Sequence, residues 1–514
     1  MNDAIRRVGL AMLVLFVALA GQLTYLQVIR ADDLESDPDN VRVFLKDLNR
    51  PRGSILSADG AVLAESIPSM DDGDDLDLQR VYPPATAGLF AHIVGYQSVN
   101  FGNIGVEAEY NGDLVGRRIP TVPSDFADLL AGEDLRGNVV LTASLPAQQL
   151  AAEQLGDRKG SVVVLDTATG GVVVAYSNPT YDPNFLASHN VEIASAAFQL
   201  INAKDNGEPG KARSWREIYA PGSTFKVVTT GVALDAGIMT PEEPLYPSIS
   251  ELELPLTDNT LENFGGDTCG GNLTESFRRS CNTTFGQIGL DLGERLADDL
   301  ALYGISEPPL TGDGQLNSGA IQNGNCAVRP PPADVNPGVS CSIGPAPGSF
   351  KADAPLFALS AIGQGPVAVT PIEMAMVAQA VANRGEMMVP HVLSHVETVD
   401  GQLVPESRYD PSVFQRSMTP ETAATLTQLM VNVVNNGTGT RAQIPGIQVA
   451  GKTGTAQVEG DTAHAWFIGF APAEAPRYAI AVLVENGGDL GDEATGGRVA
   501  APIAGAVLQR LLQG

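Results

Sequence analysis

Positive charge is scarce in this chain: 31 Lys+Arg stand against 60 Asp+Glu over 514 residues, a formal net charge of −29 at pH 7. Such a field repels phosphate backbones, and the basic residues form no long runs, which argues against nucleic-acid binding. Cysteine is rarer still. Four (Cys269, Cys281, Cys326, Cys341) make no disulfide scaffold in so long a chain, and their spacings lack the paired Cys-x-x-Cys of a zinc site. Five histidines form no metal-ligand cluster. The acidic run Asp71-Asp72-Gly73-Asp74-Asp75 lacks the ligand spacing of a calcium loop and reads as solvated. Charged residues at 18% and hydrophobic residues at 44% fit neither a disordered polyelectrolyte nor a multi-span membrane protein.

Only one stretch is long and apolar enough to cross a bilayer. Arg6 and Arg7 precede an uncharged run from Val8 to Ile29, which as a helix reaches about 33 Å. The arginines favour a cytoplasmic N-terminus and export of everything after Arg30. Ala18-Leu19-Ala20 before Gly21 also resembles a signal cleavage site, but apolar character continues through Leu26 and Ile29, which favours an anchor. The chain then reads as three parts: residues 1–30 as stub and membrane anchor, 31–145 as an irregular N-terminal domain, and 146–514 as a larger α+β domain. In the last, Ser161–Leu165 and Val172–Tyr176 form a predicted hairpin around the turn Asp166–Gly171. Trp466–Phe470 and Tyr478–Val484 are further predicted strands, and Val499–Leu512 a closing amphipathic helix. Strands at both ends with helices between them predict one sheet completed by the two termini of the domain. The Pro/Gly-rich stretch 327–348 reads as a long surface loop.

Lysine is scarce as well, with seven in the chain, and two of them stand in chemically suggestive contexts. In Pro221-Gly222-Ser223-Thr224-Phe225-Lys226, Pro-Gly before an apolar run marks a helix start, and positions i and i+3 share a helix face, so the Ser223 hydroxyl and Lys226 amine can meet. A serine hydroxyl needs a base beside it to act as a nucleophile, and a lysine serves if burial keeps part of it neutral. Ser280-Cys281-Asn282 supplies a serine that can relay a proton to a leaving amine and an amide that orients the substrate backbone and the lysine. Ser-x-Asn also occurs at Ser98 and Ser188, but only the occurrence at Ser280 lies between the other two motifs. Lys452-Thr453-Gly454-Thr455 is expected on a strand where Gly454 lets a substrate backbone lie alongside, with Lys452 and the threonine hydroxyls holding a carboxylate. The backbone N–H groups of Thr455 and Ser223 are candidates for an oxyanion hole. Each motif alone is compatible with a merely structural role. The order Ser-x-x-Lys, Ser-x-Asn, Lys-Thr-Gly is specific, being the signature of serine β-lactamases and penicillin-binding proteins.

The whole chain resembles a class B penicillin-binding protein, most of all the short actinobacterial kind. Arg52-Gly53-Ser54-Ile55 with Gly60–Ala64 is similar to the opening motif of that family, and Gly105-Val106-Glu107 to its Gly-x-Glu box. Tyr181-Asp182-Pro183-Asn184, Gly363-Gln364-Gly365 and His464-Ala465-Trp466-Phe467 resemble its transpeptidase domain. Ser57-Ala58-Asp59 departs from the usual Asp-Arg-Asn. The resemblance implies a penicillin-binding/β-lactamase-like transpeptidase domain, with an antiparallel sheet flanked by helices, behind a single anchor and an extended pedestal. It implies a D,D-transpeptidase that cross-links peptidoglycan stem peptides through a Ser223 acyl-enzyme, without metal or cofactor, and is acylated by β-lactams. It also implies that the pedestal pairs with a membrane glycan polymerase.

A β-lactamase needs a carboxylate to activate water. Asp313-Gly314-Gln315-Leu316-Asn317 resembles such a loop only faintly and reads as surface. A β-lactam sensor needs a larger cytoplasmic part, and about 115 residues between anchor and transpeptidase are too few for a glycosyltransferase domain. A scaffold with little turnover is the non-enzyme alternative. An exported domain permits disulfides. Cys269–Cys281 and Cys326–Cys341 are the pairings favoured by proximity, and four free buried thiols are the alternative.

Overall fold

The β-branched run Ser161–Leu165 becomes the middle of a strand because both its faces are covered. In the computed structural model, which describes residues 2–26, 30, 48, 50–69, 76–116, 136–305, 342–458 and 460–513, strands β1 (Gly160–Asp166) and β2 (Val172–Asn178) form the expected hairpin. Asp166 closes its turn by accepting from the backbone N–H groups of Ala168 and Thr169 at 3.0 and 2.8 Å. Three strands from the far end of the chain, β3 (Ala450–Val458), β4 (Asp461–Ala471) and β5 (Tyr478–Val484), complete a five-stranded antiparallel sheet in the order β3-β4-β5-β1-β2.

Alternate side chains divide between two cores, as the two-residue period of a strand requires. Val163, Leu165, Trp466, Ile468, Ala481 and Leu483 face one core, shared with the helix Pro371–Ala382. Val162, Val164, Phe467, Ile480 and Val482 face the other, shared with helices Leu145–Leu155 and Ala500–Gln513. Pro371–Ala382 is buried almost all round, so it is the central helix of the domain. Thr370 caps it, accepting from the Glu373 N–H at 3.2 Å, and Pro371 occupies the first turn, where no N–H is missed.

Ahead of this domain a smaller sheet runs in the order Leu393–Thr398, Gly137–Leu141, Ile55–Leu56, Val62–Pro68, Leu78–Val81. Its first strand comes from far along the chain, a long-range pairing that no local pattern announces. The Arg52 and Glu107 boxes meet beside it. The Glu107 carboxylate accepts from Arg52 Nη2 at 2.8 Å and Arg80 Nε at 2.6 Å, and Tyr82 donates to it at 3.2 Å. All four side chains are buried. Two guanidiniums hold the carboxyl of Glu107 below its ordinary range despite the opposing cost of burial, while burial lowers Arg52. Asp59, at the departure from the family motif, accepts from the Leu145 N–H at 2.7 Å and so caps the helix that follows.

Contacts divide the chain into Met1–Pro51 with Ile67–Gln79, and Arg52–Ser66 with Arg80–Gly514. The first unit holds the apolar helix Asn2–Thr24, in which Ile5–Thr24 is long and apolar enough to span a membrane and wholly exposed. The expected span reached to Ile29, of which residues 27–29 lie outside the described residues, as do Asp71–Asp75 and most of the 327–348 loop.

Candidate active site

Ser223 lies on a tight 3-10 turn, Gly222–Phe225, that runs straight into helix α1 (Lys226–Asp235). Two glycines shape this turn. Gly222 has φ +53°, and a Cβ there would come within 2.6 Å of the Thr455 carbonyl oxygen. Gly363 has φ +75° and accepts from the Gly222 N–H at 2.9 Å, and its own Cβ would meet the Gly222 oxygen at 2.1 Å. The turn is therefore clamped between strand β3 and the Gly363 loop.

Lys226 is fully buried. Its Nζ donates to the Ser280 carbonyl at 2.8 Å and to Asn282 Oδ1 at 2.8 Å, and lies 3.3 Å from Ser280 Oγ. The expected pairing with Ser223 is not made as a hydrogen bond: the turn carries the two residues side by side, but the amine is drawn toward the stronger carbonyl acceptors. Lys452, also fully buried, reaches the same hydroxyl from β3, with Nζ 2.9 Å from Ser280 Oγ and 2.9 Å from the Thr453 carbonyl. Ser280 Oγ thus stands between two amines.

Both amines lose water without gaining a carboxylate partner among the described residues. Burial pushes Lys452 down to about 7. Burial, then repulsion from Lys452, pushes Lys226 well below the ordinary lysine range. The rings of Phe285 and Phe277 lie 5.2 and 5.8 Å from the two Nζ atoms and return a fraction of the lost solvation.

Backbone geometry aims Ser280. It follows helix α2 (Leu273–Arg279) in the left-handed region, with φ 64° and ψ 43°. The Ser280 N–H bonds to the Phe277 carbonyl at 3.2 Å and the Cys281 N–H to Ser276 at 2.9 Å, a Schellman closure that normally employs glycine. The chain then enters helix α3 (Asn282–Leu292). Cys281 forms a disulfide with Cys269, so the turn is tied covalently to the strand Cys269–Gly271. This is one of the two expected pairings; Cys326 and Cys341 lie outside the described residues. Asn282 spends one N–H on the Glu262 carbonyl at 2.9 Å, which fixes the amide that receives Lys226.

Among the described residues β3 lies at the edge of the sheet, where its outer backbone groups can receive an added strand. Gly454 also makes room within the fold. A Cβ there would meet the Pro221 oxygen at 2.7 Å and Thr224 Cγ2 at 3.0 Å, so the missing side chain admits the turn that bears Ser223. Of the two threonines, Thr453 Oγ1 lies 2.6 Å from Thr438 Oγ1, and Thr455 Oγ1 accepts weakly from the Gly496 N–H at 3.4 Å. Thr438 and Gly496 escaped sequence reasoning because neither belongs to a motif; Gly363 belonged to one whose use was not apparent.

Residues 160–509 match the penicillin binding protein transpeptidase domain family, and residues 52–140 match the penicillin binding protein A dimerisation domain family. The chain belongs to the class B penicillin-binding proteins. It is 37% identical to the peptidoglycan D,D-transpeptidase PbpA of Mycolicibacterium smegmatis, across 100% of this chain and 99% of that protein. The Mycobacterium tuberculosis protein of the same name is also 37% identical, over the full length of both. Among solved structures, the imipenem acyl-enzyme complex of penicillin-binding protein A from M. tuberculosis superposes with a TM-score of 0.76 at 34% identity, covering 91% of this chain and all of that one. The penicillin G acyl-enzyme complex of the same protein gives 0.75 at 35% identity, covering 90% and 100%. The α+β class and the sheet closed by both ends of the domain agree with this family. The Asp313–Asn317 loop weighed as a hydrolase feature lies outside the described residues.

Proposed function

We propose that this penicillin-binding protein is a peptidoglycan D,D-transpeptidase whose nucleophile is Ser223 and whose base is Lys226. The likeness to the D,D-transpeptidase PbpA of M. smegmatis and to the imipenem acyl-enzyme of M. tuberculosis penicillin-binding protein A supports the reaction class. The observation that carries the residue roles is the placement of Ser280 Oγ between Lys226 Nζ and Lys452 Nζ, beside the turn that bears Ser223.

A neutral amine has two N–H donors and one lone pair. Lys226 gives its donors to the Ser280 carbonyl and Asn282 Oδ1, which leaves the lone pair for a hydroxyl proton. In acylation, Ser223 Oγ attacks the carbonyl carbon of the penultimate D-Ala and its proton passes to Lys226. The carbonyl oxygen gathers negative charge opposite the backbone N–H groups of Ser223 and Thr455. Collapse breaks the C–N bond, and the leaving D-Ala nitrogen takes its proton from Lys226 through Ser280 Oγ, which accepts from Lys452 meanwhile. An amine of a neighbouring stem then attacks the ester, returns a proton along the same path and restores Ser223. Thr453, Gly454 and Thr455 line the strand where the donor lies, and Lys452 with the threonine hydroxyls holds its terminal carboxylate. Every atom is balanced without metal or cofactor.

Residues 31–145 serve as the pedestal, the apolar helix as a single membrane anchor with the catalytic domain outside, and a membrane glycan polymerase as the partner of the pedestal. Arg6 and Arg7 ahead of the apolar run support that orientation.

Intact-mass analysis of the full chain with penicillin G tests the reading. One adduct of the whole penicillin is expected, mapped to the peptide bearing Ser223 and lost in Ser223→Ala. An adduct on another residue overturns the assignment, and no adduct at all on folded protein points to a scaffold.

A further inference from the structure

Among the described residues the Ser223 hydroxyl makes no hydrogen bond, so its position follows that of its backbone. Helix α1 fixes that backbone downstream. Upstream the segment Tyr219-Ala220-Pro221 is held by side chains that no motif role explains. Trp466 Nε1 donates to the Ala220 carbonyl at 3.0 Å. The Tyr219 hydroxyl donates to Glu485 Oε1 at 2.8 Å, an oxygen that Arg213 Nε also reaches at 2.8 Å. Lys159 pairs with the second oxygen at 3.2 Å. The Tyr219 ring meets the Trp466 ring edge to face, with centroids 6.3 Å apart.

Trp466 has a second property. On β4 it lies in register opposite Gly454 of β3, where a Cβ would come within 2.7 Å of the Pro221 oxygen. The buried indole therefore ties together the strand offered to substrate and the segment that delivers the nucleophile.

We infer that Trp466, seconded by Tyr219 on Glu485, is a positioning residue that sets the distance between Ser223 Oγ and the carbonyl carbon it attacks, and so governs acylation rather than binding. The inference rests on Ser223 being the nucleophile. Its physical basis is that the oxyanion donors include the Ser223 N–H itself: if the turn shifts, nucleophile and donors lose register together. A displacement approaching 1 Å in such a geometry costs up to about a hundredfold in rate. Losing one neutral hydrogen bond within a clamp that keeps its glycine contacts shifts the turn by less, so about a tenfold loss is expected.

Trp466→Phe keeps a ring in the core and removes the donor; Tyr219→Phe removes the hydroxyl. Time courses of labelling by a fluorescent penicillin, taken over a range of concentrations on the full-length protein, separate the dissociation constant of the initial complex from the acylation rate constant. The labelling amplitude counts the competent fraction. For Trp466→Phe the acylation rate constant is expected to fall about tenfold and the dissociation constant to stay within about twofold. Tyr219→Phe should fall about threefold in the same constant. If folded Trp466→Phe acylates at the wild-type rate constant and loses only amplitude or melting temperature, its role is structural and the inference is overturned. Should Trp466→Phe fail to fold, Tyr219→Phe decides by the same criterion. Ser223→Ala runs alongside: if that variant still labels, the nucleophile assignment has failed, whereas a silent Ser223→Ala beside a wild-type rate for Trp466→Phe removes the brace alone.

Discussion

Lys452→Met should make this protein more stable near neutral pH while abolishing its chemistry. Holding the Lys452 amine at about 7 instead of 10.5 corresponds to about 5 kcal/mol of opposition to its charged form. Its hydrogen bonds to Ser280 Oγ and the Thr453 carbonyl return about 1 kcal/mol each, and methionine of similar length fills the space. A net gain of about 2 kcal/mol for the variant near pH 7 follows. The sign of the pH dependence gives a sharper test. Between about pH 7 and 10.5 the unfolded chain holds a proton on this lysine that the folded chain lacks, so wild-type stability rises with pH at up to about 1.4 kcal/mol per unit. The methionine variant lacks that contribution, so its advantage should shrink steadily, vanish near about pH 9 and turn into a deficit approaching about 2 kcal/mol as the pH rises past 10.5, where only the lost hydrogen bonds remain. Urea unfolding of both proteins at about pH 7.5 and pH 9.5 measures the difference of slopes, which cancels the titrating groups that do not interact with Lys452. A variant less stable than wild type at pH 7.5, or an advantage that grows with pH, would refute the claim that Lys452 is destabilised by burial.

Gly222→Ala puts a Cβ within 2.6 Å of the Thr455 carbonyl at φ +53°, so penicillin acylation should fall at least a hundredfold in a protein whose far-UV circular dichroism is unchanged. Replacing both Cys269 and Cys281 by serine opens a loop closed across 12 residues, and a loss of about 3 kcal/mol in unfolding free energy is expected, read by urea unfolding against the oxidised wild type. Glu107→Gln removes the buried carboxylate that Arg52 Nη2 and Arg80 Nε share; a loss of about 3–5 kcal/mol is expected by the same measurement, with acylation by the remaining folded protein unchanged.

Three short motifs were legible because each pairs a rare residue with a fixed local geometry. Lys226 and Lys452 are two of seven lysines, and an i, i+3 spacing or a strand tripeptide dictates which way they point before any tertiary contact forms. The hairpin at Asp166 and the strands from Trp466 and Tyr478 were legible for a related reason: continuous buried β-branched and aromatic runs have few other uses. Local pattern failed where the reason for a residue lies across the fold. The room that Gly454 makes for Pro221 could not be read from the tripeptide. The i, i+3 spacing showed that Ser223 and Lys226 can meet, but not that the carbonyls of Ser280 and Asn282 take the hydrogen bonds of the amine. The strand Leu393–Thr398 joins a sheet begun more than two hundred residues earlier, a pairing set by which edge remains unfilled.

The sequence by itself determined the chemistry available here, because hydroxyl, amines and amide are fixed by residue type, and determined the long apolar helix near the start, because an uncharged run of that length needs no tertiary partner to be helical. Only the tertiary structure decided which hydroxyl each amine serves and how strongly each amine is discharged. Those depend on desolvation and on competition among acceptors within a few ångströms, quantities that no single segment of chain possesses.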